Sequence, residues 1–343
     1  MSNKPRVFDL SNEPQDKPTA PKQQNKQGSG KKRNRVALHG WINLNKPTGI
    51  TSTKALAQVQ RALNAEKAGH GGTLDPLATG VLPIALGEAT KTVAYMQDCK
   101  KSYRFTVQWG EERTTDDSEG EVISTSPATP TPHMVEQALL RFVGQIEQIP
   151  PLFSAIKVEG ARAYDLARAG QLPELKSRLI DIYAIAMTHH DMQQRRSEII
   201  VHCGKGTYVR SIARDLGRFL ECFGHICQLE RTSVGPFTLE DAISLDSFSE
   251  NVDNDALGKH LHPLATVLTD ISVLALTSQE AVALRQGRTL TFISRPDFQR
   301  LVDAGLGDTA SAPLTALATC DGREVGLINV EGATIKTSRL FNL

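Results

Sequence analysis

The sequence predicts an α+β protein, and three observations carry that prediction. From Tyr103 to Trp109 the chain alternates strictly: Tyr103, Phe105, Val107 and Trp109 face one side, Arg104, Thr106 and Gln108 the other. That is the period of a half-buried strand. Apolar residues recur at helical spacing at Leu56, Val59 and Leu63, and again at Ile212, Leu216 and Phe219. Toward the C-terminus, three short strands are punctuated by Asp321-Gly322 and Glu331-Gly332, both tight-turn signals.

Residues 1–38 are polar, rich in Lys, Gln, Asn and Pro, and contain the run Lys31 to Arg35. Such a segment buries too little apolar surface to offset ordering entropy, so a disordered basic leader is expected. Its plain role is a solubilising tail, its alternative a weak RNA-contacting arm. Trp41–Leu44 reads as a short strand ending in the turn Asn45 to Gly49, and Thr51 or Ser52 caps the helix that follows. A glycine-rich loop, Gly69 to Gly80, leads into a buried strand at Val81–Leu86 and a helix at Ala89–Met96. The alternating strand comes next, then a helix at His133–Val143, a turn at Pro150-Pro151 and a helix at Ala163–Ala169. Glu198–Cys203 is a strand, and Gly204–Gly206 turns it into the helix of Ile212 and Leu216. A helix near Ser278–Gln286 precedes the three short strands of a small β-rich module, joined through the acidic stretch Glu250–Asp255.

Composition bounds the function without choosing it. The chain has 343 residues, 40% of them hydrophobic and 22% charged, in the range of a soluble globular protein of about two domains. No apolar run approaches the ~20 residues that span a membrane. The N-terminus lacks the apolar core of a secretory signal, so a cytoplasmic protein is expected. The net charge of +1 hides an asymmetry: residues 1–35 carry nine basic and three acidic residues, residues 236–343 eight and fourteen. The body is too neutral to hold nucleic acid by bulk charge, so any such role rests on a local site. Five cysteines are too sparse for a disulfide framework. Cys222 and Cys227, with His225 between and Cys203 upstream, lack the second ligand pair of a structural zinc site, so no metal is expected.

The densest chemical signal is Gly69 to Gly80, with four glycines in twelve residues around one acid, Asp75. Pro76 pushes Asp75 out of the α region and presents the carboxylate on extended chain. An Asp-Pro turn with ordinary glycine punctuation accounts for the composition equally well. The loop lacks the Gly-Lys-Ser/Thr ending of a P-loop, and Pro76 interrupts a dinucleotide fingerprint. A two-metal site would need more carboxylates than Glu66 and Glu88 supply nearby.

This segment resembles the catalytic loop of the TruB family of tRNA pseudouridine-55 synthases, in which a G-T/A-L-D-P-L-A-T-G loop carries the catalytic aspartate. Further blocks match in order: the N-K-P-x-G turn at Asn45–Gly49, K-x-Y at Lys101–Tyr103, and P-P-x-F-S-A-x-K-x-x-G-x-x-x-Y-x-x-A-R from Pro150 to Arg168. G-T-Y-x-R-S follows at Gly206–Ser211, with H-x-x-x-L-x-R-T at His225–Thr232 close behind. The matched blocks run from residue 39 to about residue 237. One position departs: the family reads L-R-R-T before V-G-P-F, whereas Glu230 stands between Leu229 and Arg231, which argues against a phosphate contact there.

The resemblance implies a mixed, largely antiparallel sheet of the pseudouridine synthase type with flanking helices, and a small C-terminal PUA-like module. The catalytic domain would span 39–250, with an RNA-clamping insertion near 148–170, and the PUA-like module 265–343. In the insertion, Phe153, Lys157, Arg162 and Arg168 would contact the RNA arm. The implied activity isomerises uridine 55 in the T-loop of tRNA to pseudouridine, without cofactor. The partner would be the tRNA T-arm, with no membrane and no obligatory protein partner, the chain acting as a monomer. A guide-RNA-dependent relative of the same family and a tRNA-folding protein remain as alternatives.

The resemblance also assigns site residues. Asp75 would be the catalytic carboxylate, ionised, whether it attacks covalently, abstracts a proton or stabilises positive charge at the sugar. Arg210 falls at the third helical position if Thr207 is the N-cap, where the macrodipole disfavours a cation by ~0.3–1 kcal/mol. On residues alone it reads as a solvent-exposed arginine; the resemblance makes Asp75 its partner. Tyr103 reads from periodicity as an edge-of-core aromatic, and the family places it against the target base, where a ring stacks and a phenol moves a proton. His70 reads as a loop histidine bonded to its own turn, and in the family it helps hold the RNA with the uridine flipped out. Tyr208 and Leu229, core residues by spacing, match positions lining the base pocket. Lys46 and Pro47 brace the catalytic loop, with a phosphate contact from Lys46 as the other reading.

Overall fold

The computed structural model describes residues 35–154, 175–248, 259–307 and 312–343, together with the backbone of 157–158 and 161–162. Residues 1–34 of the expected leader, the helix expected at Ala163–Ala169 and the acidic stretch Glu250–Asp255 lie outside the described residues, as do the side chains of Lys157, Arg162 and Arg168.

Ordered pairing begins earlier than the sequence implied. Val36 bridges Ala65, accepts from Glu66 N–H at 3.1 Å and donates to Asn64 C=O at 2.9 Å. The first strand, β1 (Gly40–Lys46), runs through Lys46, two residues into the expected turn. Thr51 caps α1 (Ser52–Ala62) by accepting from Lys54 N–H, and Val59 and Leu63 are buried. β2 (Ala68–His70) and β3 (Thr79–Leu86) bracket the glycine-rich loop. A 3₁₀ turn at Gly87–Thr92 precedes α2 (Val93–Asp98), so the helix expected at Ala89–Met96 is split.

In β4 (Lys101–Trp109) the alternation holds: Tyr103, Phe105, Val107 and Trp109 are buried and Arg104 is exposed. A hairpin of β5 (Glu111–Arg113) and β6 (Val122–Thr125) leads to α3 (Pro132–Leu139). That helix yields to a 3₁₀ turn at Leu140–Phe142 instead of reaching Val143, and Leu140 is exposed. β7 (Gly144–Gln148) is followed by the short paired strands β8 (Lys157–Val158) and β9 (Ala161–Arg162). β10 (Arg178–Asp191), β11 (Arg196–Cys203) and β12 (Gly224–Val234) complete the body of the large sheet, with α4 (Val209–Phe219) between the last two.

Smaller strands follow: β13 (Phe237–Thr238), β14 (Ile243–Ser244), β15 (Leu261–His262) and β16 (Ser272–Ala275). The C-terminal part adds α5 (Ser278–Arg285), β17 (Leu290–Thr291) and α6 (Arg295–Asp303). It closes with β18 (Leu314–Cys320), β19 (Arg323–Glu331) and β20 (Thr334–Leu340).

The large sheet has eleven strands among the described residues, in the order β14-β1-β3-β12-β4-β11-β10-β7, with β13 on β12, β15 on β1 and β2 on β3. Only the β1–β14 and β3–β12 pairings are parallel, so the sheet is mixed and largely antiparallel. The second sheet has five strands, β16-β18-β19-β20-β17, where the sequence suggested three. It does not hang from a linker. Leu317, Leu327 and Phe341 share one buried apolar cluster with Trp41, Val81 and Ala85 of the large sheet. Asn342 N–H also donates to Glu88 at 2.8 Å.

The parallel β3–β12 contact places the glycine-rich loop over the middle of the sheet. Thr79 and Gly80 pair with Glu230 and Arg231, and Gly80 has φ +100°. A Cβ at Gly80 would collide with the Arg231 backbone, so this glycine permits the two strands to meet.

Candidate active site

The loop carrying Asp75 is pinned from below by the turn and first helix that follow β1. The Ser52 hydroxyl, buried, accepts from Leu74 N–H at 2.7 Å and donates to Leu74 C=O at 3.0 Å. Gly49 N–H donates to Pro76 C=O at 2.8 Å and Thr48 Oγ1 to Leu77 C=O at 3.1 Å. The Lys46 ammonium, fully buried, donates to the carbonyls of Pro47 and Ile50 at 2.8 Å and of Pro76 at 3.5 Å. Burial pulls its pKa down to about 8, partly countered by the Asp75 carboxylate. Its three donors are aimed at backbone carbonyls and closed off from solvent, which favours the loop-brace reading of Lys46 over a phosphate contact.

From above, Arg231 spreads its guanidinium over the same loop. Nε donates to Val81 C=O at 2.7 Å, Nη1 to Thr73 C=O and Nη2 to Gly72 C=O, both at 3.2 Å. Sequence reasoning assigned Arg231 no role, although a signal was present. In β12 it shares the phase of Leu229, and both are buried. A cation in the buried phase of a strand must find partners.

Asp75 itself meets α4. Arg210 Nε lies 2.9 Å from Asp75 Oδ2, with the carboxylate side chain 41% exposed and the guanidinium side chain only 6%. Nη1 lies 3.4 Å from Asp117 Oδ2 and donates to Thr115 C=O at 3.0 Å, while Nη2 donates to Phe153 C=O at 2.9 Å. The expected cap is corrected: the N-cap is Tyr208, not Thr207, so Arg210 occupies the second helical position. The macrodipole cost there is offset by two carboxylates and two carbonyls. Arg214 and Arg218 continue the stripe, pairing with Asp116 at 3.0 Å and Glu112 at 2.6 Å across the β5–β6 hairpin. Phe219, expected on the apolar face, is 49% exposed with the Arg141 guanidinium over its ring.

One cleft brings together Asp75, Tyr103, Arg210, Tyr208 and Leu229, with Lys101, Thr207 and Arg231 beside them. Tyr103 is 8% exposed, and burial pushes its phenol up, partly countered by Arg231. Burial likewise raises Tyr208. His70 is not among the residues lining the cleft. It ends β2 opposite Ile84, half-buried, and burial followed by Arg231 holds its imidazole below the usual pKa. Lys101 donates to the carbonyls of Gln97 and Cys99 at the end of α2.

Two other sequence features resolve simply. Glu230 pairs across the strands with Arg104 at 3.2 Å, a partner that accounts for an acid at that position. Cys222 Sγ faces Gly217 C=O, Cys227 Sγ faces Thr106 C=O, and His225 Nδ1 bonds Glu111 C=O at 3.1 Å.

The arrangement offers one solvent-facing carboxylate, oriented by a buried guanidinium, above a floor of tyrosine and leucine. That suits chemistry on a planar base held against an aromatic ring.

Comparison with known proteins identifies the family. Residues 60–209 match the family described as TruB family pseudouridylate synthase (N terminal domain), and residues 210–269 match the tRNA pseudouridylate synthase B C-terminal domain. The chain is 45% identical over 322 residues to tRNA pseudouridine synthase B of Rhodopseudomonas palustris, covering 92% of this chain and 84% of that protein. It is 46% identical over 308 residues to tRNA pseudouridine synthase B of a Caulobacter species, covering 90% and 97%. In fold it is similar to a chain of the Cbf5–Nop10–Gar1 complex, with a TM-score of 0.62 at 24% identity over 88% of this chain and 84% of that one. Given those matches, and an Asp75-centred cleft assembled from blocks spread along the sequence, the chain belongs to the TruB family of pseudouridylate synthases.

Proposed function

We propose that the chain isomerises uridine 55 in the T-loop of tRNA to pseudouridine, with Asp75 as the catalytic carboxylate and no cofactor. The observation that carries this reading is the 2.9 Å contact from Arg210 Nε to Asp75 Oδ2 at the open side of the cleft. A nearly buried arginine holds the carboxylate and aims it, leaving the exposed part of the group to meet substrate. Relatives named tRNA pseudouridine synthase B, 45–46% identical over nine-tenths of the chain, support tRNA as the substrate over a guided RNA or a purely folding role.

In the reaction the N1–C1′ bond breaks, the uracil turns, and C5 bonds to C1′. The proton leaves C5 and N1 gains one, so atoms balance without redox change. Tyr103 would stack against the extruded base, and its phenol would relay a proton. Tyr208 and Leu229 would wall the base pocket. Extruding a base from its stack costs a few kcal/mol, recovered by these contacts. His70 would act from the edge of the loop on the RNA left behind.

The PUA-like module at 265–343 and the insertion near 148–170 would hold the T-arm, with the chain acting as a monomer in the cytoplasm. Among the described residues, no helix is long and apolar enough to cross a membrane.

Asp75→Asn tests the assignment. Turnover on tRNA should be abolished, with affinity for tRNA within a few-fold of the parent. Comparable pseudouridine formation by the variant, read by chemical mapping of the product tRNA, would overturn it.

A further inference from the structure

Helix α4 supplies Arg210 and begins at the cleft wall, yet its own N-terminus lacks the usual devices. The N-cap residue Tyr208 makes no side-chain capping bond, and the first turn contains no acid. Helices ordinarily satisfy these free N–H groups with a Ser, Thr, Asp or Asn side chain, and favour anions there. Here the ordering comes from sixty residues away. Gln148, the last residue of β7 and 2% exposed, accepts from Tyr208 N–H at Oε1 (2.8 Å) and donates from Nε2 to Tyr208 C=O (3.1 Å). Both backbone groups of the cap residue are thus held by one side-chain amide.

The neighbouring bonds extend this clamp. Ser211 Oγ and Arg214 Nη2 both donate to Ile149 C=O, at 2.9 and 2.8 Å, and Arg210 Nη2 donates to Phe153 C=O. The segment Gln148–Phe153 and the first turns of α4 therefore form one hydrogen-bonded body. Arg210 belongs to that body and also grips Asp75.

We infer that Gln148 is a positioning residue for catalysis: by fixing the backbone of Tyr208 it sets where the Arg210 guanidinium and the Tyr208 wall stand relative to Asp75. This rests on the reading of Asp75 and Arg210 given above. The Gln148 amide sets a donor and an acceptor side by side, matching the N–H and C=O of a single residue at every pH. A shift of α4's first turn moves Arg210 and Tyr208 together, which affects the bound complex more than the encounter with tRNA.

Two variants of the full chain test this, with Asp75→Asn measured in the same assay. Gln148→Met removes both bonds at similar volume, and kcat should fall at least about fivefold with KM for tRNA within about threefold. Gln148→Glu keeps the acceptor but sets a carboxylate oxygen against Tyr208 C=O. When protonated, its carboxyl restores the donor, so its kcat relative to the parent should recover as pH falls from about 8 to about 5.5. A merely structural side chain would lower the melting temperature without that recovery. An unchanged kcat in Gln148→Met, a change confined to KM, or a Gln148→Glu profile parallel to the parent's would overturn the inference. If Gln148→Met does not fold, the Gln148→Glu profile decides alone. An active Asp75→Asn would overturn the site assignment instead, whatever Gln148 shows.

Discussion

Arg210 is nearly buried and shared between two carboxylates and two carbonyls, a load that depends on the fork of a guanidinium. Arg210→Lys keeps the charge but replaces that fork by a point charge on a flexible stem. The expected outcome is a kcat at saturating tRNA at least tenfold lower, about 1.4 kcal/mol of barrier, with tRNA affinity little changed. Unchanged kcat with weakened binding would move Arg210 to the RNA contacts. Asp116 makes a separate prediction. Burial raises its carboxyl to about 6 in spite of Arg214 at 3.0 Å, whereas an unfolded chain releases that proton near 3.8. Between those pH values the folded state binds more protons than the unfolded one, so this group's contribution to stability falls as pH rises. Asp116→Asn should remove that slope. Denaturant unfolding at pH 4 to 7 should show the parent losing up to about 3 kcal/mol relative to the variant; a constant difference would refute it. At this scale Asp75 and Tyr103 were legible because short motifs name them. Arg231, Ser52 and Asp117 were not, since their partners lie far along the chain.

The elements divide by how much their neighbours matter. β4 was legible because one face is buried and the other wet, and α1 because Thr51 and a single apolar stripe mark it. β10 and β12 were missed. β12 carries Cys227, Glu230 and Arg231, residues that do not read as a strand until β4 and β3 pair on either side and Arg231 finds the loop carbonyls. The α4 cap was placed one residue early because the side chain that orders it sits on β7. Ser52 illustrates the same dependence: it looks like a helix cap, but it bonds Leu74 in the Asp75 loop. Ser52→Ala leaves both backbone groups of Leu74 unpaired in a buried place, at a cost of about 1–3 kcal/mol. Thermal unfolding should show that loss, and kcat should fall more than tRNA affinity, because the loop that aims Asp75 is loosened. A variant with parent stability and turnover would show that the loop is held by its other bonds.

Across the whole molecule, charge and apolar contact play separate parts. Residues 1–34 carry eight basic and three acidic residues. Their removal should weaken tRNA binding chiefly at low salt and flatten its salt dependence, while the uridine that is modified stays the same. Binding isotherms at several salt concentrations and mapping of the product check this; modification of a different uridine would give the leader a part in site choice. The C-terminal five-stranded sheet is tied to the catalytic sheet by the cluster of Trp41, Val81, Leu327 and Phe341, so the two present one continuous body. Its turns at Asp321-Gly322 and Glu331-Gly332 were legible; its docking was not, because Trp41 and Phe341 lie three hundred residues apart in sequence.

By itself the sequence determined the α+β class, the family, the position of Asp75 as the candidate carboxylate and the phase of the β4 strand. Those are properties of local spacing and of short blocks, and they survive without knowing which segments meet. Tertiary structure alone decided which carbonyls Lys46 meets below the loop, that Arg231 ties it from above, and that Gln148 bonds the cap of the helix bearing Arg210. The physical reason is common to all three. A buried polar group must be paired, and its partner is chosen by which strands lie side by side in the folded sheet, not by distance along the chain.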